Sequence, residues 1–207
     1  MTRLAIALLA ACSIFAAGCA PLVVGAAAAG TAMVAADRRS SDVQLADERI
    51  ELQAGHRIGD LVKDAGHINI TSYNRQVLLT GEATTDALKQ QVERTAAAVG
   101  EVKGVVNEIQ VAAPVSIGSR SNDTYLTSVV KSHFVGEGKF NALHVKVVTE
   151  NGVVYLMGIV TRKEADDATN IARHVSGVRR VVRVFEYIAE PPPAQAQSKP
   201  PAPEAAK

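Results

Sequence analysis

Five histidines, two cysteines and one pair of adjacent aspartates are the side chains of this 207-residue chain with the most chemistry in them. The histidines, His56, His67, His133, His144 and His174, fall in different segments, and none has a metal-ligand spacing such as His-Glu-x-x-His. There is no Gly-x-Ser-x-Gly and no phosphate-cradling glycine loop. Asp166-Asp167 belongs to the outer side of an amphipathic stretch, where a solvated charge run is the ordinary reading. No enzyme activity, cofactor or metal is therefore expected. The position with a distinct chemistry is Cys19. Arg3, an apolar run from Leu4 to Phe15 and Ala16-Ala17-Gly18-Cys19 make up the layout of a secretory leader over residues 1–18. A run of about twelve is too short for a bilayer span, which takes about 20 residues. Gly18-Cys19 has the form of a lipobox, where cleavage leaves the cysteine N-terminal and acylated, although Ala16 stands in the usual place of Leu. Cys12 goes with the leader, so no disulfide is expected. Several acyl chains anchor durably where a single one binds marginally. Ala20, rather than Asp, after the cysteine favours the periplasmic leaflet of the outer membrane.

The elements that must position anything further occur twice. Val145 and Val147, then Val153, Tyr155 and Met157, alternate with their neighbours around Asn151-Gly152, a pair suited to a tight hairpin turn with two positive φ values. Gly158 closes the second run. From Thr161 the period turns helical, with Ala165, Ala168, Ile171, Ala172 and Val175 on one face. Gly177 stops the helix, and Val178 to Tyr187 returns to strand residues. Placing Gly81 on Gly158 aligns Ile68 with Val145, Asn74 with Asn151 and Leu79 with Leu156, and Val102, Val105 and Ile109 then match Val178, Val181 and Phe185. A duplication of this kind sets the architecture.

Each copy reads as an αββαβ unit of the α+β class, a three-stranded mixed sheet with two helices on one face. The expected layout is a tether at 19–41, domains at 42–111 and 121–188, a linker at 112–120 and a Pro/Ala tail at 189–207 that cannot form a core. The tether is Ala- and Gly-rich, with Arg38 and Arg39 expected beside lipid phosphates. Gly55 and Gly59 each cost about 1 kcal/mol in a helix, so the first helix is expected to be weak or broken. In the first copy Glu101 replaces the glycine before the last strand, so the helix exit is expected to shift. Asn122 or Asp123 is expected to cap the first helix of the second copy.

Ser121 to Ser132, SNDTYLTSVVKS, and Val145 to Ala165, VKVVTENGVVYLMGIVTRKEA, resemble the BON domain family, and the order of the whole chain is similar to its tandem-domain lipoproteins over about residues 10–188. The resemblance implies an envelope protein tied to membrane stress and division sites, and it points to the first helix of the second domain as a phospholipid-binding surface. The residues agree. Leu126, Val129, Val130 and Phe134, with His133 beside them, fall on one arc at about 100° per residue. Tyr125, Ser128, Ser132 and Val135 fall on the opposite arc, flanked by Thr124 and Lys131. Tyr suits an interface because its ring is apolar and its tip polar. The family pattern carries Trp at Tyr125, which implies weaker insertion here.

Charge separates the copies. Residues 42–111 hold 11 acidic and 7 basic side chains, and residues 119–189 hold 7 acidic and 10 basic, while the whole chain is only +1. That near-neutral total carries no nucleic-acid signature, and a cationic domain near a bilayer favours anionic lipids, phosphatidylglycerol or cardiolipin, at about 1 kcal/mol per well-placed basic residue. The competing function is a protein–protein module that docks an envelope partner.

Overall fold

The computed structural model describes residues 37–113 and 117–190. The leader, Cys19, most of the tether and the tail from residue 191 lie outside the described residues. In chain order the first repeat holds α1 (Ser41–Val62), β1 (Gly66–Tyr73), β2 (Gln76–Ala83), α2 (Asp86–Ala97), β3 (Gly104–Asn107) and β4 (Gln110–Val111). The second holds α3 (Ile117–Glu137), a 3-10 turn (Ala142–His144), β5 (Val145–Glu150), β6 (Val153–Val160), α4 (Arg162–Arg173) and β7 (Arg180–Tyr187).

Each sheet is mixed because a hairpin is followed by a helical crossover. β1 pairs antiparallel with β2 and β5 with β6, while β3 and β7 return parallel to the central strands. Both hairpins turn on two residues of positive φ, Asn74 (52°) and Arg75 (66°) in the first and Asn151 (50°) and Gly152 (71°) in the second. Arg75 thus adopts a conformation that glycine adopts at less cost. Thr85 and Thr161 cap α2 and α4, and Glu164 completes a capping box with Thr161.

Four expectations need correction. α1 is one unbroken helix of 22 residues. Its face of Ala46, Ile50, Ala54, Ile58 and Val62 is buried, and each buried Ile contributes about 2 kcal/mol, enough to offset the glycines. Leu61, half-buried, packs against the same core. The exit of α2 does not shift, since Glu101 itself takes φ +69°, the role Gly177 plays at +94° after α4. The third strand of the first repeat is split between β3 and β4, and the break falls opposite Gly81, whose φ is +105°. β7 runs unbroken past Gly158, which is not among the positive-φ glycines. Finally, α3 begins at Ile117, inside the expected linker, so neither Asn122 nor Asp123 is its cap.

Asp123 has a different task. It is 4% exposed, and its carboxylate accepts the Asn151 and Gly152 N–H groups, both at 2.8 Å. Asp47 does the same in the first repeat, accepting from Asn74 N–H at 2.8 Å and Arg75 N–H at 2.7 Å. In each repeat one helical carboxylate satisfies the orphan donors of a turn that would otherwise be buried unpaired.

Three apolar cores close among these elements. One lies between α1, α2 and the first sheet, and one between α3, α4 and the second. The third joins the repeats, because Tyr73 and Leu78 pack against Val153, Tyr155 and Met157. The two sheets thus meet face to face with helices outermost, and residues 37–190 form a unit that carries its own cores. Ion pairs reinforce the contact at its margins, Lys146 to Glu51 at 3.1 Å and Arg180 to Glu108 at 3.1 Å. Part of the charge difference between the repeats is therefore used to hold them together.

Arg38 and Arg39 are also internal, which overturns their expected place beside lipid phosphates. Arg39 pairs with Asp37 at 2.7 Å and Asp47 at 2.8 Å and stacks 4.0 Å over the Tyr73 ring. Arg38 reaches the other repeat, donating to Ile159 O at 2.8 Å and to Glu164. Both guanidiniums are spent on the fold.

Candidate functional site

The inward arc of α3 follows its sequence pattern. Leu126, Val130 and Phe134 are buried, and Phe134 meets Phe140 edge-on at 5.0 Å. His133, read as bordering this arc, is exposed. On the outward arc Tyr125 is 66% and Val135 72% exposed. Thr124, Ser128, Lys131 and Ser132 are exposed with them. The structure therefore brings all six to one solvent-facing side of a single helix. Thr124 and Ser128 hydroxyls donate back to the carbonyls of Arg120 and Thr124, each at 3.1 Å, so these small polar side chains are satisfied locally and leave the surface low. Tyr125 and Val135 stand above it.

Among the described cations of the second repeat some are ion-paired and some are not, and Lys131 is one of the latter. Lys139 is held by Glu137 and Lys163 by Asp167, each at 2.7 Å, and Arg183 by Asp166 at 2.8 Å. Lys131 has no ion pair among the described residues. An unpaired ammonium between an exposed Tyr and an exposed Val can meet an anion and hydrocarbon at once, which is the composition of a phospholipid surface.

The glycines named from the sequence lie in the hairpins of the two sheets. A Cβ on Gly158 would stand 2.4 Å from His144 O, and one on Gly81 2.0 Å from His67 O. Both keep the hairpin strands close, Gly158 by close approach alone and Gly81 with a positive φ besides. Two functional features went unread in the sequence. The helical carboxylates Asp47 and Asp123 occupy matching positions of the duplication, which was the available signal. Leu143, 41% exposed beside α3, sits in a 3-10 turn too short to leave a periodicity. Among the described residues no cluster of His, Cys, Asp or Glu is arranged to hold a metal, and no helix is long and apolar enough to cross a membrane.

A family model described as BON domain matches residues 46–113 and 122–189. The chain is 37% identical over 185 residues to the outer membrane lipoprotein DolP of Haemophilus influenzae, covering 88% of this chain and 95% of that protein. It is 34% identical over 154 residues to a 21 kDa hemolysin of Actinobacillus pleuropneumoniae, covering 73% and 79%. It is also 31% identical over 117 residues to the osmotically inducible protein Y of Escherichia coli, covering 55% and 58%.

Proposed function

We propose that this chain, which belongs to the BON domain family, is an envelope lipoprotein that binds anionic phospholipid through α3 of its second repeat. Acylated Cys19 anchors it in the periplasmic leaflet of the outer membrane, and lipid recognition by α3 supports the integrity of that membrane and its enrichment at division sites. The protein works by binding, without catalysis. Its similarity to an outer membrane lipoprotein over most of both chains supports the location.

The observation that carries the reading is the pairing of Tyr125 and Val135, both about two-thirds exposed or more, on one helix face with Lys131, which has no ion pair among the described residues. Flotation of residues 37–190 with vesicles tests it. Vesicles containing phosphatidylglycerol or cardiolipin should carry the protein up the gradient, and neutral phosphatidylcholine vesicles should not. Equal flotation with both, or with neither, contradicts it. For the anchor, Cys19→Ser in the full chain should abolish acyl labelling and leave the protein released or uncleaved.

A second reading, docking of an envelope protein, is favoured by a different face. Leu45 and Leu52 lie seven residues apart on α1 and are 56% and 64% exposed. They belong to the helical layer on the other side of the sandwich from α3, so a partner there leaves the lipid face open.

A further inference from the structure

A cleft of about 370 Å³ opens between the repeats, at the point where the chain enters the folded unit. Asp37 and Arg39 border it, Tyr73 lines it from the first repeat, and Lys131, Val135 and Leu143 line it from the second. Its apolar wall includes two side chains that folding leaves in water, Val135 at 72% and Leu143 at 41% exposure, beside the buried Val145. Leu143 is held there by Asn141, whose side-chain oxygen accepts the Leu143 N–H at 3.0 Å.

The polar wall is cationic. Arg39 is neutralised by Asp37 and Asp47. Lys146, also on the cleft, shares its ammonium between Glu51 at 3.1 Å and Ser72 O at 3.4 Å. Lys131 has no counter-ion among the described residues. Asp37 is the acidic residue of the lining, and Arg39 engages it. The cleft thus presents one free and one shared ammonium next to exposed hydrocarbon. Small-molecule sites begin at about 300 Å³, so the space suits a headgroup with its glycerol. Two acyl chains do not fit and must remain outside.

We infer that this cleft receives the phosphate headgroup of one bilayer phospholipid, with Lys131 and Lys146 facing the phosphate and Val135 and Leu143 facing the first methylenes of its chains. The inference rests on the reading of α3 as the membrane face and extends it. Recognition then belongs to the junction of the two repeats, with Tyr73 of the first repeat at the ligand. It also sets the orientation on the membrane, because the chain arriving from the anchor side meets the fold at this same cleft.

The test uses residues 37–190 and variants that lie off α3, Leu143→Gln and Lys146→Gln, beside the α3 variant Tyr125→Glu. Binding to phosphatidylglycerol vesicles is measured for each, and the Tyr73 ring and Leu143 methyl signals are followed by nuclear magnetic resonance as short-chain phosphatidylglycerol is added. Leu143→Gln and Lys146→Gln should each weaken vesicle binding at least fivefold while remaining folded by circular dichroism, and both sets of signals should shift. Wild-type binding by these two variants, with Tyr125→Glu defective and Tyr73 unmoved, overturns the cleft and leaves the helix-face reading standing. Wild-type binding by all three removes both. Equal Tyr73 shifts with inorganic phosphate alone, undiminished in Leu143→Gln, overturn the lipid assignment in favour of a free-anion site. If Leu143→Gln does not fold, Lys146→Gln and the Tyr73 signals decide the matter.

Discussion

Arg38 and Glu164, 126 residues apart, form a two-pronged ion pair, Nη1 to Oε2 at 2.7 Å and Nη2 to Oε1 at 2.9 Å. Arg38 lies three residues before the first helix of one repeat, and Glu164 completes the capping box of the last helix of the other. The base of the tether is thereby fastened to both halves of the molecule. Burial alone would raise the Glu164 pKa, but the Arg38 guanidinium, the Thr161 N–H and His144 outweigh it and hold the carboxyl at about 2.

Because that pKa lies below its ordinary value of 4.5, the stability from this carboxylate is present above pH 4.5 and is lost as pH falls toward 2. Glu164→Gln should lower stability by about 1 kcal/mol at pH 7, the scale of a partly exposed pair, and the difference from wild type should vanish near pH 2. Thermal unfolding across that range checks it, and a constant difference at all pH values contradicts the pairing.

Glu150 should behave in the opposite sense. Burial between the sheets pushes its pKa above 4.5, against the Asn69 amide that donates to it at 2.5 Å, and Glu82 adds to the rise. A raised pKa favours the fold while the group is protonated, and that contribution disappears as pH climbs through the folded-state value. As pH falls from 7 toward 4.5 the wild type should gain stability relative to Glu150→Gln. Parallel unfolding curves for the two proteins over that interval would show that the carboxyl is not strained by burial.

The glycines divide into two groups with opposite expected signs. Gly158→Ala and Gly81→Ala place a Cβ 2.4 Å and 2.0 Å from backbone oxygens, so each should cost about 2 kcal/mol or more, and the positive φ makes Gly81 the worse. Gly55→Ala and Gly59→Ala meet nothing within 4 Å and should each stabilise α1 by about 0.5–1 kcal/mol. Chemical denaturation of the four variants is the measurement. Loss of stability in Gly55→Ala or Gly59→Ala would mean that the outer face of α1 is already in contact with something.

Asp123→Ala leaves two turn N–H groups without their acceptor, at an expected cost of about 2–3 kcal/mol. Asp123→Asn keeps one acceptor oxygen and should recover part of it. A cost in the Ala variant no larger than in the Asn variant would show that the turn does not depend on the carboxylate.

Much of the fold was legible because strand and helix periods repeat in the same order, so that Gly81 and Gly158 or Leu79 and Leu156 match across the copies. The face-to-face packing of the sheets was harder to see. Its signal is the unbroken apolar run from Val153 to Met157, whose alternate residues Val154 and Leu156 face the helices while Tyr155 and Met157 face the other repeat. Such runs mark strands buried on both sides. The internal pairing of Arg38 left no local mark, because its partner Glu164 is 126 residues away and ion pairing has no period, and Arg39, although Asp37 and Asp47 are near in sequence, is placed by its stacking on Tyr73 as well. For the candidate site, the outward arc of α3 follows from helical spacing alone. Leu143 and Lys146 join it only through the packing of the 3-10 turn and β5 against α3 within the second repeat.

On the proposed reading, α3 meets anionic lipid through an apolar contact at Tyr125 and an electrostatic one at Lys131. The most direct measurement is vesicle binding of residues 37–190 and their Tyr125→Glu and Lys131→Gln variants, at low salt and at about 1 M, where the Debye length is about 3 Å. Lys131→Gln should bind more weakly than wild type at low salt and equal it at high salt. Tyr125→Glu should bind more weakly at both, with an unchanged circular dichroism spectrum, since Tyr125 points away from Leu126, Val130 and Phe134. Full binding of folded Tyr125→Glu to phosphatidylglycerol vesicles at either salt would contradict the account and place the membrane contact elsewhere.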